Sequence, residues 1–212
     1  MSNEEKTIIM LMVVAGLIYL MYLIYKSVQE NKREEELKLK KERQEKEFEE
    51  IKTKERKKKS IEWNKKIQST FNGKINYETN KSIKVLLGDY HSGMAPITNS
   101  VLKSMGIETE VVPTASDIID RITDGKKYDF IITNNTYSNG ESGSDVLSLK
   151  EKDNFNIPII VLTVEQGQRD RFIDRGFDEY IEKPIDEDKV KKVFTSFIKD
   201  LKFSKIKSSK SK

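Results

Sequence analysis

Four polar residues stand where candidate strands end. Asp89 follows Ile83–Gly88, Asn134 follows Phe130–Thr133, Thr163 follows Pro158–Leu162, and Lys183 follows Glu179–Glu182. Together they offer one carboxylate, one amide, one hydroxyl and one ammonium. Magnesium asks for several hard oxygens in near-octahedral array, and Asp89 is the only charged oxygen donor of the four, so no resident metal or cofactor is expected and Mg²⁺ should bind weakly at best. An amide oxygen carries no charge and is a poor nucleophile, which argues against covalent chemistry at Asn134. His91 is the only histidine and lies two residues after Asp89. One histidine rarely completes a metal site, and a loop histidine is the simpler reading. No Ser-His-Asp set assembles, and Gly140 and Gly143 are turn glycines outside any GxxxxGK phosphate loop. The absence of cysteine removes disulfides, thiolate metal sites and cysteine nucleophiles. An enzyme is not expected.

These residues need strands to present them. Ile83–Gly88 is the first buried-strand candidate, followed by a helix from Ala95 or Pro96 to Ser104 or Met105 that Gly106 stops. Glu108–Val112 is a second strand, and Ser116 is the expected N-cap of the next helix. Phe130–Thr133, Ile159–Thr163 and Glu179–Glu182 supply three more strands, with helices expected near 144–151, 166–174 and 187–201. Val190, Val193, Phe194, Phe197, Ile198 and Leu201 recur at helical spacing along the last of these. Strands alternating with helices imply a parallel sheet covered on both faces, with functional groups at the carboxyl ends of the strands.

Residues 83–198 resemble a response-regulator receiver domain. Asp89 matches the first residue of its acidic pair and Thr163 the hydroxyl residue that engages the phosphoryl group. Tyr180, three residues before Lys183, matches the switch aromatic. Lys183-Pro184 matches the Lys-Pro pair whose peptide bond is typically cis. The resemblance implies an α/β, flavodoxin-like fold with a five-stranded parallel sheet. Two departures bear on activity. The second acidic position is Tyr90, and the phospho-acceptor position, at the end of Tyr128-Asp129-Phe130-Ile131-Ile132-Thr133-Asn134, is an asparagine. Asp89 is thus the only acidic ligand retained. Val164 also replaces the small residue usual after Thr163, and the 137–143 loop lacks its usual proline. With fewer carboxylates crowded together, Lys183 is free to pair with Asp89 or hydrogen-bond Asn134 without a metal.

The rest of the chain falls into distinct segments. Residues 1–6 form a short N-terminus, expected to be extracytoplasmic. Thr7–Tyr25 carries no charge and is long enough to span a bilayer. Glu4 and Glu5 stand where a signal peptide would be basic, and no small-residue cleavage pattern follows, so an uncleaved anchor is expected. Lys26, Lys32, Arg33, Lys38, Lys40 and Lys41 follow it, which places the C-terminal bulk in the cytoplasm.

Residues 26–70 alternate acid and base without proline or glycine, as in Glu34/Lys38 and Glu50/Lys54, and predict a charged helical stalk. At ~1.5 Å per residue it would hold the next domain roughly 60 Å from the bilayer. Leu37, Phe48 and Ile51 share a heptad seam that Lys41, Gln44 and Glu55 interrupt, so a solitary helix and a weak dimeric coiled coil both stand. Residues 71–81 read as a linker, 82–201 as the receiver-like domain and 202–212 as a disordered basic tail. The net charge of +4 is small for a chain in which 35% of residues are charged, and nucleic acid is not an expected partner.

The first reading is therefore a membrane-anchored pseudo-receiver that binds a protein partner near the cytoplasmic membrane face without phosphorylation. The expected face includes Arg171, Phe172, Arg175, Tyr180, Lys189, Lys191 and Lys192. The rival readings are a receiver using atypical phosphorylation or anion binding near Lys183 and Thr163, and a structural spacer dominated by the stalk.

Overall fold

A computed structural model describes residues 2–206, with only the backbone of Glu5, Lys6, Thr7 and Ile9. Part of the expected tail, residues 207–212, lies outside the described residues. The chain divides into two units, the first ending at Lys54 and the second beginning at Glu55.

Helix α1 (Asn3–Ser69) runs through the first unit from Asn3 to Lys54 and continues into the second. Its described side chains from Met10 to Tyr25 are exposed and almost all apolar. By length and composition it is one helix apolar enough to cross a membrane.

The second unit is built on a sheet of five parallel strands. They are β2 (Lys84–Gly88), β3 (Glu108–Val112), β4 (Phe130–Asn134), β5 (Ile159–Thr163) and β6 (Glu179–Glu182), in the order β3-β2-β4-β5-β6. The inner strands β2, β4 and β5 are mostly apolar and buried because both faces of the sheet are covered, while the edge strands β3 and β6 carry exposed or half-buried glutamates. On one face α2 (Met94–Ser104) and α5 (Glu187–Phe197) place Leu102, Val190 and Phe194 against Val85, Leu87, Phe130 and Ile132. On the other, α3 (Ala115–Thr123), a 3-10 helix (Gly143–Glu151) and α4 (Arg169–Asp174) place Ile118, Val146 and Phe172 against Leu86, Ile131 and Val161. This is the flavodoxin-like architecture expected from the strand–helix alternation.

Four local features differ from expectation. The α3 N-cap is Thr114, in extended conformation, whose side chain accepts from the Asp117 N–H; Ser116 sits in the first turn, where its N–H and hydroxyl both donate to Glu141. The segment expected as a linker contains β1 (Tyr77–Thr79), and the segment expected as a disordered tail contains β7 (Phe203–Lys205); the two pair antiparallel. Three-residue strands are too short to show an alternating pattern, and their polar residues hid them. Finally, the second unit begins at Glu55, not at 82, because the last turns of α1 pack on the sheet.

Candidate functional site

The register sets the strand ends level: Gly88 lies opposite Thr133, Asn134 opposite Leu162, and Thr163 opposite Glu182. The residues at and just beyond these ends converge on one cleft lined by Tyr90, His91, Asn134, Thr163, Val164 and Lys183, among others. Asp89 is wholly buried and contacts two of the lining residues, Asn134 and Lys183. Thr163 lines the cleft with them, while Tyr180 is not among the lining residues.

Asp89 is held by three neighbours. Its Oδ1 accepts from the His91 backbone N–H at 3.1 Å and from Asn134 Nδ2 at 2.8 Å, while Oδ2 lies 3.5 Å from Lys183 Nζ. Asn134 therefore points an N–H at Asp89 where a carboxylate would repel it, and the ammonium supplies the counter-charge. Asn134 Oδ1 accepts no hydrogen bond from the described residues. Thr163 is buried, and its Oγ1 accepts from the Glu165 N–H at 3.1 Å. The Lys183-Pro184 bond is cis, as the resemblance implied.

This set does not suit a divalent cation. One oxygen of the lone carboxylate already accepts two N–H groups, the other faces an ammonium, and Asn134 turns its nitrogen toward the carboxylate. Among the described residues no group of three or more His, Asp or Glu could share a metal. His91 is exposed, and its Nδ1 accepts from the Gly93 and Met94 N–H groups as a loop histidine does.

Several supporting residues escaped the sequence reading. Tyr137 is buried beneath the cleft, donating to the Gly88 carbonyl at 3.2 Å and sharing a 2.6 Å bond with Thr133 Oγ1. Burial pushes its phenol above the ordinary range. A Cβ on Gly88 would collide with the Tyr137 hydroxyl and the end of Ile118, so a larger residue there would have to displace these side chains. Trp63, near the end of α1, donates its indole N–H to the Asp89 carbonyl at 3.2 Å.

Tyr180 lies on β6 away from the cleft lining. Its hydroxyl donates to Glu182 at 2.7 Å, which raises the phenol and lowers the carboxyl relative to their ordinary values. Beside it is a groove of about 330 Å³ lined by Arg169, Glu179, Tyr180, Lys189, Lys192 and Val193, among others. The expected face needs correction at two positions. Phe172 is wholly buried, its ring stacking against Tyr180 while Arg171 and Arg175 cover it, because α4 turns this side chain inward. Lys191 instead lies 4.1 Å over the Tyr77 ring of β1.

A family model described as the response regulator receiver domain matches residues 85–195, just over half of the chain. The chain belongs to that family. Among solved structures, it is similar to the receiver domain of a sensor histidine kinase from Pseudomonas aeruginosa PAO1, with 20% identity, covering 55% of this chain and 97% of that one at a TM-score of 0.48. That domain is described with a magnesium ion coordinated in its active-site cleft. The chemotaxis response regulator CheY4 of Vibrio cholerae matches at 17% identity over 56% of this chain and 100% of its own, with a TM-score of 0.49. The receiver domain of a signal transduction histidine kinase from Syntrophus aciditrophicus matches at 23% identity over 56% and 94%, with a TM-score of 0.47. No curated protein matches the chain.

Proposed function

We propose that this chain is a membrane-anchored pseudo-receiver: a receiver domain of two-component type that cannot take a phosphoryl group and acts as a protein-binding module. The observation that carries the reading is the Asn134 amide, which donates to Asp89 at 2.8 Å while Lys183 supplies the cation. Phosphorylation of a receiver requires a carboxylate oxygen to attack phosphorus, forming an acyl phosphate and expelling the donor's leaving group. An amide in that position has no anionic oxygen to offer, and the surrounding donor set is poor in ligands for the metal that would screen the attack.

The exposed apolar stretch of α1 and the basic residues that follow it support an anchor with the N-terminus outside and the receiver domain in the cytoplasm. Restricting the module to a shell beside the membrane raises its effective concentration toward partners there, with no need for phosphorylation. The groove between α4, β6 and α5, with Arg169, Lys189 and Lys192 interleaved with Glu179 and Glu182, supports a charged protein partner.

The test is incubation of the full-length chain in lipid nanodiscs with acetyl phosphate and Mg²⁺, read by intact mass. The wild type should gain no phosphoryl group, while Asn134→Asp should gain one acid-stable, alkali-labile group. A wild-type chain that is phosphorylated, or that shifts its amide resonances around Thr163 on adding beryllofluoride, overturns the reading in favour of an active receiver.

A further inference from the structure

The last turns of α1 hold a patterned face. Arg56, Ser60, Trp63 and Ile67, with Lys57, Asn64 and Gln68 beside them, recur at three- and four-residue intervals and, within the second unit, are buried or half-buried. Ile67 joins the main core, and Ser60 is wholly buried. The surface this face meets is β3, an edge strand of the five-stranded sheet. An edge strand leaves alternate N–H and C=O groups without a strand partner. Here, side chains of α1 take them up: Asn64 Oδ1 accepts from the Val111 N–H at 2.9 Å, and Gln68 Nε2 donates to the Thr109 carbonyl at 2.5 Å. The spacing explains the match, since four helical residues rise about 6 Å and two strand residues about 6.6 Å. Helix and edge strand run in opposite directions, and the amide pair stands in for a sixth strand.

Two further features give this contact a consequence. Trp63 joins the segment directly to the cleft, because its indole N–H is bonded to the carbonyl of Asp89 itself. The same residue's carboxylate holds Asn134 and Lys183. The other end of the segment is fastened by charge rather than by apolar packing: Arg56 pairs with Asp120 at 2.5 Å and approaches Asp117 at 3.8 Å, and Lys57 pairs with Asp124 at 3.1 Å. Those pairs are a third or more exposed on the basic side, and Arg56 Nε and Asp117 Oδ1 are buried without hydrogen-bond partners. Contacts of this kind are weak and sensitive to salt.

We propose that residues 55–69 of α1 are the input element of this domain: the segment docks reversibly on the β3 edge and, through Trp63 and Asp89, sets the Asn134–Lys183 cleft. The inference rests on the site described above and adds what regulates it. Where a phosphorylatable receiver is switched through its acceptor, this one is switched through its helix. Trp63 is a positioning residue, acting on the cleft through Asp89. Linkage is reciprocal, so a partner that prefers one state of the cleft also shifts the docking of the helix by the same factor.

The test uses the full-length chain in nanodiscs without any phosphoryl mimic, so its outcome is separate from that of the phosphorylation experiment. Two readouts are needed: hydrogen exchange at the Val111 amide and across residues 55–69, and the side-chain amide resonances of Asn134. Arg56→Ala combined with Lys57→Ala should raise exchange about fivefold at those amides, in keeping with two partly exposed ion pairs. It should also move the Asn134 resonances in the direction produced by Trp63→Phe, which keeps an aromatic side chain and removes the N–H donor. A salt series on the unsubstituted chain should trace the same path and guards against a variant that fails to fold. Faster exchange with unmoved Asn134 resonances in both variants would reduce the segment to a passive cap and overturn the coupling. Unchanged exchange in the charge variant and across the salt series would overturn reversible docking.

Discussion

Lys183 and Asp89 show how the site balances without a metal. Asp89 is wholly buried, and its side chain has two neutral N–H donors on one oxygen and the ammonium on the other. Taking away one member of a buried pair leaves the other charge desolvated, which costs more than the pair itself contributes. Lys183→Met should therefore destabilise the domain by about 3 kcal/mol. Adding Asp89→Asn should recover most of that loss, because the two residues share one interaction and their effects cannot add. Urea unfolding followed by Trp63, the chain's only tryptophan, measures both; a double variant as weak as the sum of the singles would contradict the coupling. This residue-level arrangement was largely legible in the sequence, since residue type at a strand end fixes both position and chemistry. What could not be read was the support from a distance: Tyr137 under the cleft and Trp63 from α1 reach it through the fold, and neither belongs to a strand-end run.

At the scale of elements, long periodic segments were readable and short ones were not. The inner strands β2, β4 and β5 are mainly apolar runs, and α5 shows its core face through Val190, Val193 and Phe194. The β1–β7 pair joins Tyr-Glu-Thr to Phe-Ser-Lys, which carry no pattern of their own and are defined only by each other. The end of α1 is a different failure. Its face of Ser60, Trp63, Asn64, Ile67 and Gln68 has helical periodicity, but the surrounding lysines and glutamates made the whole stretch look like a solvated stalk. A single tryptophan in so charged a helix was the available signal. The beginning of α1 has the opposite character, with exposed and nearly continuous apolar side chains from Met10 to Tyr25. If that stretch lies in a bilayer, alkaline carbonate should leave the full chain in the membrane pellet and release a chain lacking residues 1–25 to the supernatant. Full-length protein released by carbonate would remove the anchor from the proposal.

The stability of the whole receiver unit should carry a signature of the polar framework around its β3 edge. Glu110 on β3 accepts from Arg121 Nε at 2.7 Å, Tyr128 OH at 2.7 Å and Lys126 Nζ at 3.1 Å. Burial alone would raise its carboxyl, but those three donors outweigh burial and hold it below the ordinary glutamate range. Asp117 on α3 behaves in the opposite sense: burial raises it, and the Thr114 bond and the charges of Arg56 and Arg121 only partly offset that. The two therefore pull stability in opposite directions with pH. A carboxyl lowered on folding contributes stability above its unfolded pKa and loses it as pH falls through the folded value; a raised one contributes at low pH and loses it as pH rises through its folded value. Total acid unfolding mixes both, so the informative quantity is a difference. Glu110→Gln should lower unfolding free energy by about 2 kcal/mol at neutral pH, the scale of hydrogen bonds to a charged group. The gap between wild type and variant should then close as pH drops through the acid range below that of an ordinary glutamate, where wild-type Glu110 takes up its proton. A gap that stays constant with pH would mean that the Glu110 contacts hold the β3 edge by shape alone, and that charge has no part in how this face supports the end of α1.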